Sequence, residues 1–193
     1  MTASKDSIIA LPNPSLRQRS KKVKEVTDEI RQVVNNMKAA TLDWEQDRKH
    51  EVGVALAAVQ INQLYKIVIV RDNPDDKRDG DFTVFINPEI TKYEGPIETD
   101  FEGCLSITDI YGKVPRYSKV RVKAMNLDGN AFRATAEGFI ARVLQHEIDH
   151  TNGKVFIDHI KNKPAAFYRL TEGGELEKLD YEKDVKDNHE LWD

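Results

Sequence analysis

The hexapeptide Gln145-His146-Glu147-Ile148-Asp149-His150 constrains this chain more than any other feature. In an α-helix, residues four apart rise about 6 Å and share a face, so the imidazoles of His146 and His150 converge on one point. Glu147 adjoins that point without being obliged to ligate, which is where a general base beside a metal centre must stand. Apolar spacing predicts the carrier helix from Gly138 to Thr151, stopped by Asn152-Gly153. The alternative is a surface helix with two solvated histidines. Three fixed residues at this spacing are rare at ordinary composition, and that favours the metal.

A catalytic metal site takes three protein ligands and leaves one position open. The segment Glu102-Gly103-Cys104-Leu105-Ser106 holds the single cysteine of the chain. Cys104 with two histidines makes a two-nitrogen, one-sulfur donor set suited to Fe(II), Zn(II), Co(II) or Ni(II). Taken alone, a single cysteine is better read as a small buried hydrophobe. Gly53 to Gln60 is a small apolar run that lets another backbone approach closely and ends in an amide with two donors. By itself it reads as a buried strand or turn.

Around these segments the pattern is that of an α+β chain. Residues 27–46 set Ile30, Val33, Val34, Met37, Thr41 and Trp44 at helical spacing, with Thr27 as N-cap and Asp28 and Glu29 in the first turn. This predicts an N-terminal amphipathic helix. Lys66 to Val70 and Phe82 to Asn87 predict a strand pair joined by a charged loop from Arg71 to Asp81. Lys119 to Met125, Asp128-Gly129 and Ala131 to Thr135 predict a hairpin. The connections are too short for a doubly wound parallel sheet.

Together the three chemical segments resemble the peptide deformylase family, whose motifs are GxGLAAxQ, EGCLS and QHExDH. The resemblance spans about residues 8 to 160. It implies antiparallel sheets packed around a central, C-terminal HExxH helix, and a metal-dependent hydrolase that takes the formyl group from the formylmethionine of nascent polypeptides. By position it implies Cys104, His146 and His150 as metal ligands, with Fe(II) as the usual ion, and Glu147 as general acid/base. Gln60 and the Leu105 backbone N–H become donors to the oxyanion. Val54, Ala55 and Gly103 become the backbone that holds an extended peptide, and Val143 a wall of the methionine pocket. Glu102 and Arg116 become a supporting pair, for which a surface salt bridge is the plainer reading. The chain departs from the motifs at Ala55, Val59 and Thr108, where a crowded groove is expected to affect rate and breadth rather than the reaction. An HExxH metalloprotease and a catalytically silent metal-binding paralogue are the rival readings.

Composition enters mainly through exclusions. No apolar stretch reaches the roughly 18 residues of a membrane-crossing helix, and residues 1–20 lack an apolar signal core. With one cysteine and so no internal disulfide, a reducing cytoplasmic setting is expected. The net charge of −4 lacks the basic excess of a nucleic-acid binder, and the cluster from Arg17 to Lys24 reads as a solvated face. A monomer is expected, with the ribosome as a further candidate partner. Residues 1–170 are taken as the catalytic domain. From Thr171 to Asp193, nine acidic residues stand against three lysines, so residues 171–193 are expected to form an acidic, at most loosely docked tail.

Overall fold

The computed structural model describes residues 3–192. The first helix, α1 (Asp28–Gln46), starts where Thr27 accepts a hydrogen bond from the Ile30 N–H at 3.4 Å. Its buried face carries Ile30, Val33, Val34, Met37 and Ala40. Trp44 is only half-buried and turns toward a cavity, while Glu45 takes the buried position beside it. A periodic apolar stripe cannot distinguish those two outcomes at a helix end.

The strands β1 (Ala55–Ala57), β2 (Ile67–Arg71), β3 (Phe82–Cys104), β4 (Ile107–Met125) and β5 (Ala131–Glu137) follow in the chain. All pair antiparallel, and with two late strands, β6 (Phe167–Leu170) and β7 (Leu176–Lys178), they form one continuous sheet rather than separate ones. The order is β1-β2-β3-β4-β6-β7, with β5 also on β4. The β3–β4 ribbon bends through register shifts, two of which enclose Pro88 and Pro96. Proline lacks the donor a regular ladder needs, so bulges are where it fits.

Successive side chains of a strand face opposite sides. Ile67 and Ile69 of β2 pack in one cluster with α1, whereas Val68 and Val70 pack in another with helix α2 (Gly138–His150). The sheet is thus covered on both faces at β2, which explains why that strand reads as an unbroken apolar run. Arg71, expected to open a loop, instead closes β2 with its side chain buried against Glu45 at 2.9 Å. Helix α2 ends as its sequence requires, with Gly153 at φ +74° just beyond it.

A third cluster lies beneath the far end of the ribbon and includes Val114, Phe156, Ile160, Phe167, Leu179, Val185 and Leu191. The last three belong to the acidic segment expected to dock loosely at most. That expectation is corrected here: β7 pairs with β6, Leu191 is 5% exposed, and Trp192 packs edge-on against Phe167. Acidic side chains point outward between apolar residues spaced to reach the core, so net charge concealed a packing face. Among the described residues no helix is long and apolar enough to cross a membrane.

Candidate active site

Helix α2 crosses under the β3–β4 ribbon and is fastened there by Gln145. Its amide donates to Tyr117 O at 2.8 Å and accepts from Tyr117 N at 3.2 Å. This fixes the rotation of the helix, so that His146, Glu147 and His150 are buried beneath the end of β3. Cys104 closes that strand. The donor atoms of Cys104, His146 and His150 lie within 4.8 Å of one another, with Cys104 Sγ 3.3 Å from His150 Nε2.

Electrostatics make this cluster receptive to a cation. Burial pushes His150 well below the ordinary histidine range, aided by its neighbour His146, leaving the neutral ring that ligates. Burial opposes charging His146 as well, but hydrogen bonding with Cys104 and Glu102 overcomes it and favours positive charge there. His150 Nδ1 is buried without a partner. A divalent ion matches the soft sulfur, the two imidazoles and this preference for positive charge, so the residues fit the metal implied by the motif.

Glu102 is the anchor of the site. Its carboxylate receives Arg116 Nε at 2.9 Å and Arg142 at 2.8 Å, and meets His146 Nδ1 at 2.9 Å. Burial works against its charge, yet His146 and Arg116 hold the carboxyl well below the usual carboxylate range. The Glu102–Arg116 pair is therefore internal, with both side chains about 5% exposed, and not a surface salt bridge. Arg116 also donates to Asp149 at 2.6 Å, and His159 lies 2.7 Å from the same oxygen. Sequence reasoning missed Arg142, Asp149 and His159. The only available signal was the helical period, which sets Arg142 on the buried face of α2.

Glu147 stands apart from this network. Its Oε2 is buried with no partner, and burial pushes the carboxyl up to about 7, against the pull of His146 and with the charge of Glu102 adding to the rise. Such a group can both take and return a proton near neutrality. Gln60 approaches from the turn after β1: its Oε1 accepts from Ala57 N at 2.8 Å, which aims Nε2 at Ser106 Oγ (3.2 Å) and Cys104 Sγ (3.6 Å). On the other side of β1, Gly53 lets the chain pass close to α1; a Cβ there would stand 2.5 Å from Thr41 Cγ2.

These residues border a cavity of about 390 Å³. Gln60, Cys104, Leu105, His146 and Glu147 line it, as do Val54, Ala55, Gly103 and Val143, so the structure gathers every sequence-predicted site residue around it except His150, which lies fully buried behind. Ala55 also belongs to the α2-side core, Val59 is wholly in the core, and Thr108 is exposed away from the cavity. The mouth is formed by Trp44, Glu51, Pro74, Asp75, Phe101 and Phe139, none singled out for it from sequence.

A donor set for one metal ion, a neighbouring carboxyl group able to carry a proton and a deep cavity together define a metal-assisted hydrolase. The profile of the polypeptide deformylase family matches residues 5–165. The chain is 41% identical over 165 residues to a peptide deformylase of Thermomicrobium roseum, covering 84% of this chain and 89% of that protein. It is 39% identical over 154 residues to one of Pseudomonas aeruginosa, covering 80% and 86%. Among solved structures, a Synechococcus elongatus peptide deformylase in complex with actinonin superposes with a TM-score of 0.73 at 33% identity, over 81% of this chain and 80% of that one. A Plasmodium falciparum peptide deformylase gives 0.71 at 32%, over 79% and 84%. The chain belongs to the polypeptide deformylase family. Its activity is the metal-dependent removal of the N-formyl group from the formylmethionine of nascent polypeptides.

Proposed function

We propose that Cys104, His146 and His150 hold the metal, that the ion is Fe(II) in preference to Zn(II), Ni(II) or Co(II), and that Glu147 moves the protons. The convergence of three donors within 4.8 Å beside an unpartnered Glu147 oxygen carries this reading. Bound there, a divalent ion supplies Lewis acidity, which acidifies water and polarises a carbonyl. Glu147 accepts the proton of the attacking water at its carboxylate and delivers one to the departing amine. Gln60 Nε2, held by the Ala57 contact, and the Leu105 N–H donate to the oxygen on which negative charge develops. Val54, Ala55 and Gly103 align the peptide as an added strand, and Val143 walls the pocket for its methionine side chain. Formyl is the smallest acyl group, so a confined floor admits it and excludes internal peptide bonds.

In this reading α2 is the central HExxH helix and α1 the amphipathic helix that buttresses the sheet opposite it. Residues 1–170 carry the chemistry, and the protein acts as a cytoplasmic monomer that meets its substrates near the ribosome. Cys104→Ala tests the assignment. Metal content and formate release from a formyl-Met peptide are expected to vanish together while the fold persists. Retention of one metal per chain would remove Cys104 from the ligand set. Iron-loaded protein is expected to turn over faster than zinc-loaded protein under anaerobic conditions, and equal rates would contradict the choice of iron.

A further inference from the structure

Arg142 has no role in the family motifs and lies one helical turn before His146. It is 7% exposed. Its guanidinium donates to Val114 O at 2.7 Å, Glu98 O at 2.8 Å, Asp100 O at 3.4 Å and Glu102 Oε1 at 2.8 Å. One planar group thereby ties α2 to β3, to β4 and to the carboxylate on which His146 Nδ1 rests. We propose that Arg142, which borders the cavity, is a positioning residue for the metal centre: it acts through Glu102 to fix the ring of His146. The inference rests on the reading of Cys104, His146 and His150 as ligands.

Two features separate this role from ordinary packing. Arg116 spans both oxygens of Glu102, Nε to Oε1 at 2.9 Å and Nη2 to Oε2 at 3.1 Å, and Arg142 adds a second donor to Oε1 while His146 meets Oε2, so Arg142 completes the fixing of the carboxyl group rather than merely neutralising it. The second arginine cannot replace the first, because Arg116 is itself drawn toward Asp149 and His159 at the other end of the helix. With Arg142 gone, Glu102 would keep the Arg116 fork but lose the second donor on Oε1 and its tie to the α2 backbone through Arg142. A lysine would preserve the charge but not the fork, since it lacks the rigid spread of donors that reaches three carbonyls and a carboxylate at once. Groups that orient a metal-bound histidine typically contribute about 10- to 100-fold to metal affinity.

The experiment uses the full chain loaded with Co(II), with Kd measured by chelator competition for wild type, Arg142→Lys, Arg142→Gln, Glu102→Gln and the double variant Arg142→Lys/Glu102→Gln. Arg142→Lys is expected to weaken Co(II) binding by about 10-fold, and Arg142→Gln by at least as much. For Arg142→Lys, kcat is expected to fall with KM unchanged. The double variant is expected to bind no more weakly than Glu102→Gln alone, because both changes release the same histidine. Wild-type Kd in folded Arg142→Lys, additive losses in the double variant, or a change confined to KM would overturn the proposal. Failure of both Arg142 variants to fold would also overturn it, by making Arg142 a determinant of the fold. If wild type binds Co(II) without a thiolate charge-transfer band, the ligand assignment fails instead, and the two failures are distinguishable.

Discussion

The floor and the mouth of the cavity are built on opposite principles. At the floor, Glu102, Arg116, Arg142, Gln145 and Asp149 are buried or largely so and bonded to one another or to backbone. The buried side-chain atoms left without partners there are Glu147 Oε2 and His150 Nδ1, both at the site itself. At the mouth, Phe139 is 55% exposed and Asp75 stands in solvent, while Tyr111 is tied to Glu51 by a 2.6 Å hydrogen bond. Buried charge is tolerable only when every partner is in place, so the floor is rigid by necessity. The mouth is built from aromatic surfaces, the solvated Asp75 and the Tyr111–Glu51 pair, without a buried charge network of the floor's kind.

The sharpest challenge to this contrast is Glu147→Gln. It should keep its metal and lower kcat by about 10²- to 10⁴-fold, the usual worth of a general acid/base, with KM little changed. Loss of metal in a folded variant would make Glu147 a ligand. The same substitution has a signature in stability. With the folded carboxyl at about 7 and its ordinary value 4.5, the stability this group contributes is full below about pH 4.5 and is lost as pH rises through 7. Metal-stripped Glu147→Gln should therefore melt higher than metal-stripped wild type above pH 7, and the gap should close toward pH 4.5. A pH-independent gap would contradict the raised value.

Removing the acidic segment probes the support beneath the floor. A chain ending at Thr171 uncovers Phe167 and Ile160, whose cluster includes Phe156, the ring stacked 6.0 Å from His146. Loss of the buried Leu179, Val185 and Leu191 removes about 1.5–3 kcal/mol each by area burial. The shortened chain should melt well below the full one, and an unchanged Tm would mean that the segment only decorates the surface. Ala55→Gly should have the smallest effect. Ala55 lines the cavity but packs in the core, so kcat/KM should move by less than about threefold while a strand glycine costs about 0.5–1 kcal/mol. A large gain in kcat/KM would show instead that the Ala55 methyl narrows the groove.

What was legible in the sequence follows the same division. Helical and strand periods disclosed α1, α2, the β2–β3 pair and the β4–β5 hairpin, because each has a face that packs inward over the stretch the pattern covers. The convergence of Cys104, His146, Glu147 and His150 was legible because helical spacing sets three of them together and the single cysteine stands out. Arg142 and Asp149 were not, since a charged residue on a helix looks the same in sequence whether it meets water or a buried carboxylate. The length of β3 was hidden by Pro88 and Pro96, which bulges absorb. The docked C-terminal segment was hidden by its charge, although Leu179, Val185 and Leu191 were spaced to reach the core.

The central claim is that one metal ion held by Cys104, His146 and His150 makes this chain a deformylase. It is tested most directly by titrating metal-stripped protein anaerobically with Fe(II) and following formate release from a formyl-Met peptide against bound metal. The account predicts that activity rises in proportion to metal and saturates at one ion per chain. Formate release that is independent of metal, or that saturates at another stoichiometry, would contradict it.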